Sequence, residues 1–154
     1  MLNISQDWKD LYPGAIQGML VMEGVENPPQ HDRLETRKAE FEAAVRDQYA
    51  AYNRAMLEAL PNIQPYVQYY KRFNKSYHVL FQIESVAQKG KSLPRVAALV
   101  EAMFMVELKN QLLTAGHDFD KLVQPLKLGI GTGEESYTLM NGQTQTLKAQ
   151  DMYM

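Results

Sequence analysis

The feature that most constrains the fold is an abrupt change of residue pattern near position 115. Before it, a long apolar run predicts a helix over about Leu93–Leu113, and Pro94 suits the first turn because that position needs no amide donor. The run carries Glu101, Glu107 and Lys109. We therefore expect a buried helix of a water-soluble protein rather than a membrane span.

After this change, short segments separated by glycines predict strands. The dipeptide Asn141-Gly142 lies between two alternating segments, which is a strong signal for an antiparallel hairpin. Because helices precede these strands, the predicted fold class is α+β, with short antiparallel or mixed strands, rather than a regular βαβ repeat. The predicted strands are Leu126–Ile130, Ser136–Met140, Gln143–Leu147 and a last strand that includes Met152, Tyr153 and Met154.

The first half of the chain adds an N-terminal strand and several helices to this prediction. A helical turn over Trp8–Leu11 ends at the turn signal Pro13-Gly14. The next apolar run, Ile16–Val25, predicts the N-terminal strand, and Pro28-Pro29 ends it. The helices predicted after it are Asp32–Leu60, which has a single apolar stripe, Asn62–Phe73 and Tyr77–Ala87.

The composition excludes several functional classes. A net charge of −2 over 154 residues does not by itself require nucleic acid or an anionic membrane as partner. The absence of cysteine excludes disulfides, a thiol nucleophile and thiolate metal sites, and it fits the reducing cytoplasm. We expect one domain over residues 1–154, with no cofactor and no metal. Because the chain ends on a predicted strand, truncation of a longer domain is an open alternative.

The segment from Tyr66 to Val100 contains six basic residues and a single acidic residue, Glu84. Tyrosines alternate with the first three basic residues. Basic groups neutralise phosphates and aromatic rings stack on unpaired bases, so this segment predicts a surface that contacts RNA. The alternative is that the tyrosines pack a small helix and the cations are only solvated. The candidate RNA contacts are Lys71, Arg72, Lys75, Lys89, Lys91, Arg95, Tyr70 and Tyr77.

A polar corner follows the long apolar helix and contains His117, Asp118 and Asp120. These residue types bind metals or act as acids and bases, but their spacing matches no strong metal pattern. A turn that caps the preceding helix and begins a strand also favours aspartate. The glycine-rich segment Gly129–Gly133 predicts a turn between strands rather than a phosphate loop, because no helix pattern follows it.

Five short motifs occur in a fixed order along most of the chain, from about Leu11 to Tyr153. Together they resemble the B3/4 domain, which is the editing domain of the phenylalanyl-tRNA synthetase β subunit and also occurs as a free-standing protein. The free-standing form is the more similar one. The motifs are Tyr12-Pro13-Gly14, Val21-Met22-Glu23-Gly24-Val25, Leu93-Pro94, Asp118-Phe119-Asp120-Lys121-Leu122 and Gly133-Glu134-Glu135-Ser136-Tyr137-Thr138-Leu139.

The resemblance implies that the chain binds aminoacyl-tRNA and hydrolyses a mischarged aminoacyl ester. In the synthetase, this domain removes tyrosine that has been attached to the phenylalanine tRNA. The resemblance gives catalytic roles to three residues here: His117 would orient water or the 3′ ribose, Asp118 would hold the histidine tautomer, and Glu101 would contact the amino group of the aminoacyl moiety.

The resemblance also implies which residues line the amino-acid pocket. A Thr-Asn pair of the synthetase domain falls on Met103 and Phe104 in this chain, and a histidine of that domain falls on Ala115. Two alternatives to an editing enzyme stay open: a non-catalytic module of the same fold that binds RNA or an amino acid, and a small structural protein without an RNA role. The expected partner is tRNA, with no DNA and no membrane, and the oligomeric state is left open.

Overall fold

The computed structural model describes residues 2–139 and 141–154. Six α-helices and small sheets of parallel and antiparallel strands occur in these residues, so the predicted α+β class is confirmed. They divide into two compact units, which we name the sheet unit (Met1–Glu23 and His117–Met154) and the helical unit (Gly24–Gly116). Met140, the predicted end of one strand, lies outside the described residues. The single domain over residues 1–154 stays a prediction.

The sheet unit contains a three-stranded sheet and a separate hairpin. In the sheet, β1 (Leu2–Ile4) pairs parallel with β2 (Leu126–Ile130), and β5 (Met152–Tyr153) pairs antiparallel with the other edge of β2. Helix α1 (Gln6–Leu11) packs against β2 and buries Trp8. A short 3₁₀ helix spans Phe119–Lys121, and the predicted hairpin is formed by β3 (Ser136–Thr138) and β4 (Thr144–Thr146).

The strand predicted over Ile16–Val25 is wrong. The segment has no regular secondary structure, and Ile16 and Leu20 are 94% and 81% exposed. Strand propensity stabilises a strand only through a neighbouring strand that accepts its hydrogen bonds and side chains. The N-terminal strand of the structure is instead β1, which is too short to give a recognisable alternation in the sequence.

The helical unit consists of five helices around one apolar core. Its helices are α2 (Asp32–Tyr49), α3 (Arg54–Glu58), α4 (Gln64–Lys71), α5 (His78–Ala87) and α6 (Ala98–Asn110). Helix α5 lies at the centre, because it packs against α2, α3 and α6. The fully buried core side chains include Leu57, Ile63, Tyr77, Val79 and Ile83. The predicted helices Asn62–Phe73 and Tyr77–Ala87 correspond to α4 and α5 within two residues at each end.

The other two predicted helices are shorter than the sequence pattern indicated. The helix predicted over Asp32–Leu60 is divided after Tyr49, because the Asn53 side chain caps α3 by accepting the Met56 N–H at 3.0 Å. No helix among the described residues is long and apolar enough to cross a membrane.

The helix predicted to open at Leu93-Pro94 begins only at Ala98. Two carboxylates hold the preceding segment outside the helix. Glu42 accepts the N–H of Leu93 at 2.7 Å, and Glu101 accepts the N–H of Val96 at 2.9 Å. The first N–H groups of α6 itself are accepted by the Pro28 carbonyl, which binds Ala98, and by the Asn27 side chain, which binds Leu99.

Candidate nucleic-acid interface

The predicted basic residues lie on the surface of the helical unit. Lys71 is the last residue of α4, Lys75 lies in the turn before α5, and Lys89 and Lys91 follow α5. All four lysines are exposed, and within the described residues no carboxylate lies at ion-pair distance from any of them. Lys71 and Lys75 precede α5, whereas Lys89 and Lys91 follow it. Helix α5 has ten residues and is therefore about 15 Å long.

The two predicted arginine contacts have partners within the chain. Arg72 is exposed, and its guanidinium lies 5.7 Å from the centroid of the Phe73 ring. Arg95 is 64% exposed at the side chain and donates to Glu35 at 2.9 Å. Both cations remain reachable from solvent, but Arg95 shares its charge with a carboxylate.

The predicted aromatic contacts are mainly core residues. Tyr77 is completely buried and stacks on Tyr66, with 4.4 Å between the ring centroids. Burial raises the pKa of the Tyr77 phenol, and its hydroxyl donates to the Gln111 carbonyl. Tyr70 is half-buried against the same core, 5.6 Å from the Tyr77 ring. For Tyr77, the alternative that the tyrosines pack a small helix therefore describes the structure, and a base cannot reach its ring.

Glu101, the residue implied to contact an amino group, is 1% exposed within the helical unit. One carboxylate oxygen accepts a hydrogen bond from the ammonium of Lys38, and the other accepts the Val96 N–H. The Lys38 hydrogen bond, followed by the Val96 N–H, holds the pKa of Glu101 below its usual value despite burial. Lys38 also donates to Glu35 at 3.2 Å. The Glu101 carboxylate thus has a full set of partners inside the protein.

His117 and Asp118 belong to the sheet unit, at the start of its second chain segment. Both are exposed. The Asp118 carboxylate accepts the Asp120 N–H at 3.1 Å and so caps the following 3₁₀ helix, not the preceding helix that the corner interpretation named. Within the described residues, no hydrogen bond joins His117 to Asp118. The implied role of Asp118 in holding a histidine tautomer stays a prediction.

The implied pocket residues do not line a described cleft. Met103 and Phe104 are half-buried on α6, where Phe104 packs against the core and Met103 lies beside Gly116, and Ala115 is exposed. Two shallow clefts of about 270 and 310 Å³ occur elsewhere in the helical unit. The first is lined by residues of α2 and of the segment before α6, among them Glu35, Lys38 and Glu42. The second is lined by residues of α5 and of the same segment, among them Phe81 and Lys91.

A contact between His78 and Glu107 has no counterpart in the sequence pattern. In the structure, Nε2 of His78 lies 3.1 Å from Oε1 of Glu107, which is 2% exposed, whereas the His78 side chain is 45% exposed. The same carboxylate oxygen accepts the Thr114 N–H at 3.2 Å. The sequence signal for this contact is the position of Glu107 in an apolar helix. A buried acid needs a partner, but the sequence does not show which residue supplies it.

The glycine-rich segment already holds an anionic group of its own chain. The Glu135 carboxylate accepts the N–H groups of Thr132 at 2.9 Å and Gly133 at 3.2 Å. The hydrogen bond from its own N–H, followed by those from Thr132 and Gly133, lowers the pKa of Glu135. The carboxylate occupies the donors that a phosphate would need, in agreement with the predicted turn.

Among the described residues, no group of three or more histidine, aspartate or glutamate side chains is arranged to hold a metal ion. Comparisons with known protein families, curated proteins and solved structures find no match for this chain. Its surface and side chains therefore have to carry any functional assignment.

Proposed function

We propose that this protein binds aminoacyl-tRNA, as the resemblance to the B3/4 editing domain implies, and that it does so through the helical unit. The observation that carries the proposal is the set of four exposed lysines, Lys71, Lys75, Lys89 and Lys91, which have no carboxylate partner among the described residues. We name these four residues the lysine surface.

Four other cations of the helical unit differ from the lysine surface in their surroundings, whereas Arg33, Arg37 and Lys109 are also exposed without an ion pair among the described residues. Lys38, Arg46, Arg54 and Arg95 each pair with a glutamate within the unit. A cation already paired has little left to offer a phosphate, whereas an exposed and unpaired lysine gains from neutralising one. The separation of about 15 Å along α5 is one that several consecutive phosphates of a strand cover.

The single-stranded, charged 3′ end of a tRNA is the ligand that this proposal favours. The binding is expected to be electrostatic, because the most buried of the candidate tyrosines is closed to base stacking. The absence of cysteine and the choice of tRNA as ligand both agree with a cytoplasmic location, which is part of the proposal.

Salt-dependent binding of tRNA tests this proposal. We expect fluorescence anisotropy with labelled tRNA to give an affinity that falls with increasing salt. Replacing Lys71 and Lys75 by alanine should weaken binding at least about tenfold and reduce the magnitude of the salt slope by about 0.7–0.9 for each phosphate that is no longer neutralised. The Lys89→Ala, Lys91→Ala double variant should behave in the same way.

The matched control is the double variant Arg33→Ala, Arg37→Ala. Both arginines are exposed on α2 of the same unit and, like the lysine surface, have no ion pair among the described residues, but their helix carries five acidic residues that repel a phosphate. Its tRNA affinity should stay close to that of the native protein. Absence of salt-sensitive tRNA binding, or equal losses in all three double variants, would reject the lysine surface as an RNA site and leave a structural protein.

A further inference from the structure

Helix α6 is apolar on the face that lies away from the core of the helical unit. The residues on its core side are Glu101, Phe104, Met105, Glu107 and Leu108. With 3.6 residues per turn, the opposite side carries Leu99, Met103, Val106 and Asn110, which we name the outer face of α6. Val106 is 51% exposed, and Leu99 and Met103 are half-buried. A helix that is apolar on both sides is normally covered on both sides.

The outer face carries no charge, because both acids of α6 lie on its core side. Glu101 accepts a hydrogen bond from Lys38, and Glu107 contacts His78. The remaining charged residue of the helix, Lys109, lies in the last turn at the edge of the outer face. Two copies of this face therefore meet without like-charge repulsion, which is the main electrostatic obstacle to self-association.

The outer face also has the spacing of a seam between two packed helices. Its residues follow one another at intervals of four, three and four positions, the alternation found where helices lie side by side. Asn110 is the one polar residue of the seam. An asparagine at such a position fixes the register of a helix pair at a cost in stability.

Exposed apolar side chains continue the outer face beyond both ends of the helix. Val96 precedes α6 by two residues, and Leu112 and Leu113 follow it closely. The Leu113 N–H donates to the hydroxyl of Tyr66 at 3.2 Å, which ties this segment to the helical unit. A helix of 13 residues is about 20 Å long, so these flanking side chains widen the surface that a partner can cover.

The exposed area of the chain is large enough to supply an interface. The accessible surface is 10712 Å². Two separate globular bodies with the sizes of the sheet unit and the helical unit would together expose about 9,500 Å². The excess is roughly 1,200 Å², whereas each partner of a standard stable interface contributes about 800 Å². The excess area therefore suffices for one dimer interface.

We infer that the outer face of α6 is the interface of a homodimer, in which it packs against the same face of a second copy of this chain. Such an interface is self-complementary, as two-fold symmetry requires. Both an uncharged seam and the excess area favour a second copy as the occupant. The interface shares no residue with the lysine surface, so it goes beyond the proposed tRNA binding and does not depend on it.

Sedimentation equilibrium of the full chain over a range of concentrations tests the dimer. We expect the native chain, of 17.6 kDa, to sediment at twice that mass and to dissociate on dilution. Val106→Asp places two like charges in an apolar contact and should weaken the dimer at least about a hundredfold. The matched control is Met56→Asp, at an exposed apolar position of α3 in the same unit, which should keep the native affinity.

A second variant is expected to act in the opposite direction, which loss of folding cannot imitate. Asn110→Leu removes the polar residue from the seam and should tighten the dimer about tenfold. Circular dichroism should give the same helix content for the native chain, Val106→Asp and Asn110→Leu. An unchanged or weaker dimer in Asn110→Leu would overturn the assignment of this residue to the seam.

Chemical cross-linking locates the interface independently. The native chain has no cysteine, so Val106→Cys introduces a single thiol. A short bifunctional maleimide should join two copies of Val106→Cys and should leave Met56→Cys unjoined. A native chain that stays monomeric at every concentration overturns the inference. A dimer as tight in Val106→Asp as in the native chain, or equal cross-linking at both positions, overturns it as well, because the interface then lies elsewhere.

Discussion

Helix α6 carries two buried glutamates, and their partners differ in kind. Glu101 is 1% exposed and faces Lys38, whose side chain is itself 8% exposed. Glu107 is 2% exposed and faces His78, whose side chain is 45% exposed. Both acids also accept a backbone N–H from a segment next to the helix, Val96 for the first and Thr114 for the second.

The exposure of the partner distinguishes the two buried acids. Lys38 is cationic throughout the physiological pH range and its side chain is 8% exposed, so its pair with Glu101 is nearly closed to solvent and serves the packing of α2 against α6. Histidine is the side chain whose ordinary ionisation lies near neutral pH, and His78 is open to solvent on one side. The second pair is therefore the one whose partner is largely open to solvent.

The largest expected effect comes from removing the cation of the closed pair. Lys38→Met leaves the Glu101 carboxylate buried without its charged partner, and we expect a loss of about 3–5 kcal/mol in the free energy of unfolding. Urea denaturation followed by circular dichroism measures this loss. The matched control is Arg37→Met, the neighbouring exposed residue of α2, for which a change within about 0.5 kcal/mol is expected.

The double variant Lys38→Met, Glu101→Leu sharpens the same comparison. Replacing both members of a buried ion pair by apolar groups removes the unpaired charge, so most of the lost stability should return. The Val96 N–H loses its acceptor in this variant, which keeps the recovery incomplete. If the single variant Lys38→Met were as stable as the control, the burial of Glu101 would not require Lys38. The distinction between the Lys38–Glu101 pair and the more exposed His78–Glu107 pair would then fail.

The pH dependence of the closed pair is the next expected effect. The Lys38 hydrogen bond is the chief cause that lowers the pKa of Glu101 from its ordinary 4.5, so its contribution is present above about pH 4.5 and is lost as the pH falls through the lowered pKa. Burial opposes the charge on Lys38, but the hydrogen bonds that Lys38 donates to Glu101 and Glu35 outweigh it and raise its pKa above 10.5. That contribution is present below pH 10.5 and is lost as the pH rises through the raised pKa.

Unfolding of the native protein and of Lys38→Met at about pH 7 and about pH 3 measures the acid side of this dependence. The difference in unfolding free energy between the two proteins should shrink in acid, because protonated Glu101 no longer needs a cation. A difference that stays constant, or that grows as the pH falls, would show that the Lys38 effect is not electrostatic.

Much of the fold could be predicted because its signals are local. The Asn141-Gly142 hairpin, the glycine-separated strands and the two short helices around Lys75 each depend on residues within a few positions of one another. The strand predicted at residues 16–25 failed because an apolar segment becomes a strand only if the fold supplies a partner. The prediction of where α6 begins was wrong because Glu42, more than fifty positions before Leu93, accepts the Leu93 N–H.

The candidate site could be predicted only in part for the same reason. The exposure of Lys71, Lys75, Lys89 and Lys91 follows from a charge excess that the sequence displays directly. The burial of Tyr77 and the pairing of Glu101 with Lys38 are contacts across the core. So is the contact between His78 and Glu107, which are 29 positions apart and belong to no common pattern.

The smallest expected effect concerns the pair of His78 and Glu107, which is open to solvent on the His78 side. Because the His78 side chain is 45% exposed, its contact with Glu107 is screened by water, and His78→Gln should lower the free energy of unfolding by only about 0–1 kcal/mol. The glutamine amide can still donate to the Glu107 carboxylate, so the buried acid keeps a hydrogen bond.

The value of this measurement is its ratio to the Lys38→Met loss under the same conditions. A small stability cost would show that the contact with Glu107 adds little to the packing of the helical unit. A cost for His78→Gln as large as that for Lys38→Met would instead make His78 a second structural partner of a buried acid. Glu107 would then be as closed as Glu101, and the contrast between the two acids of α6 would disappear.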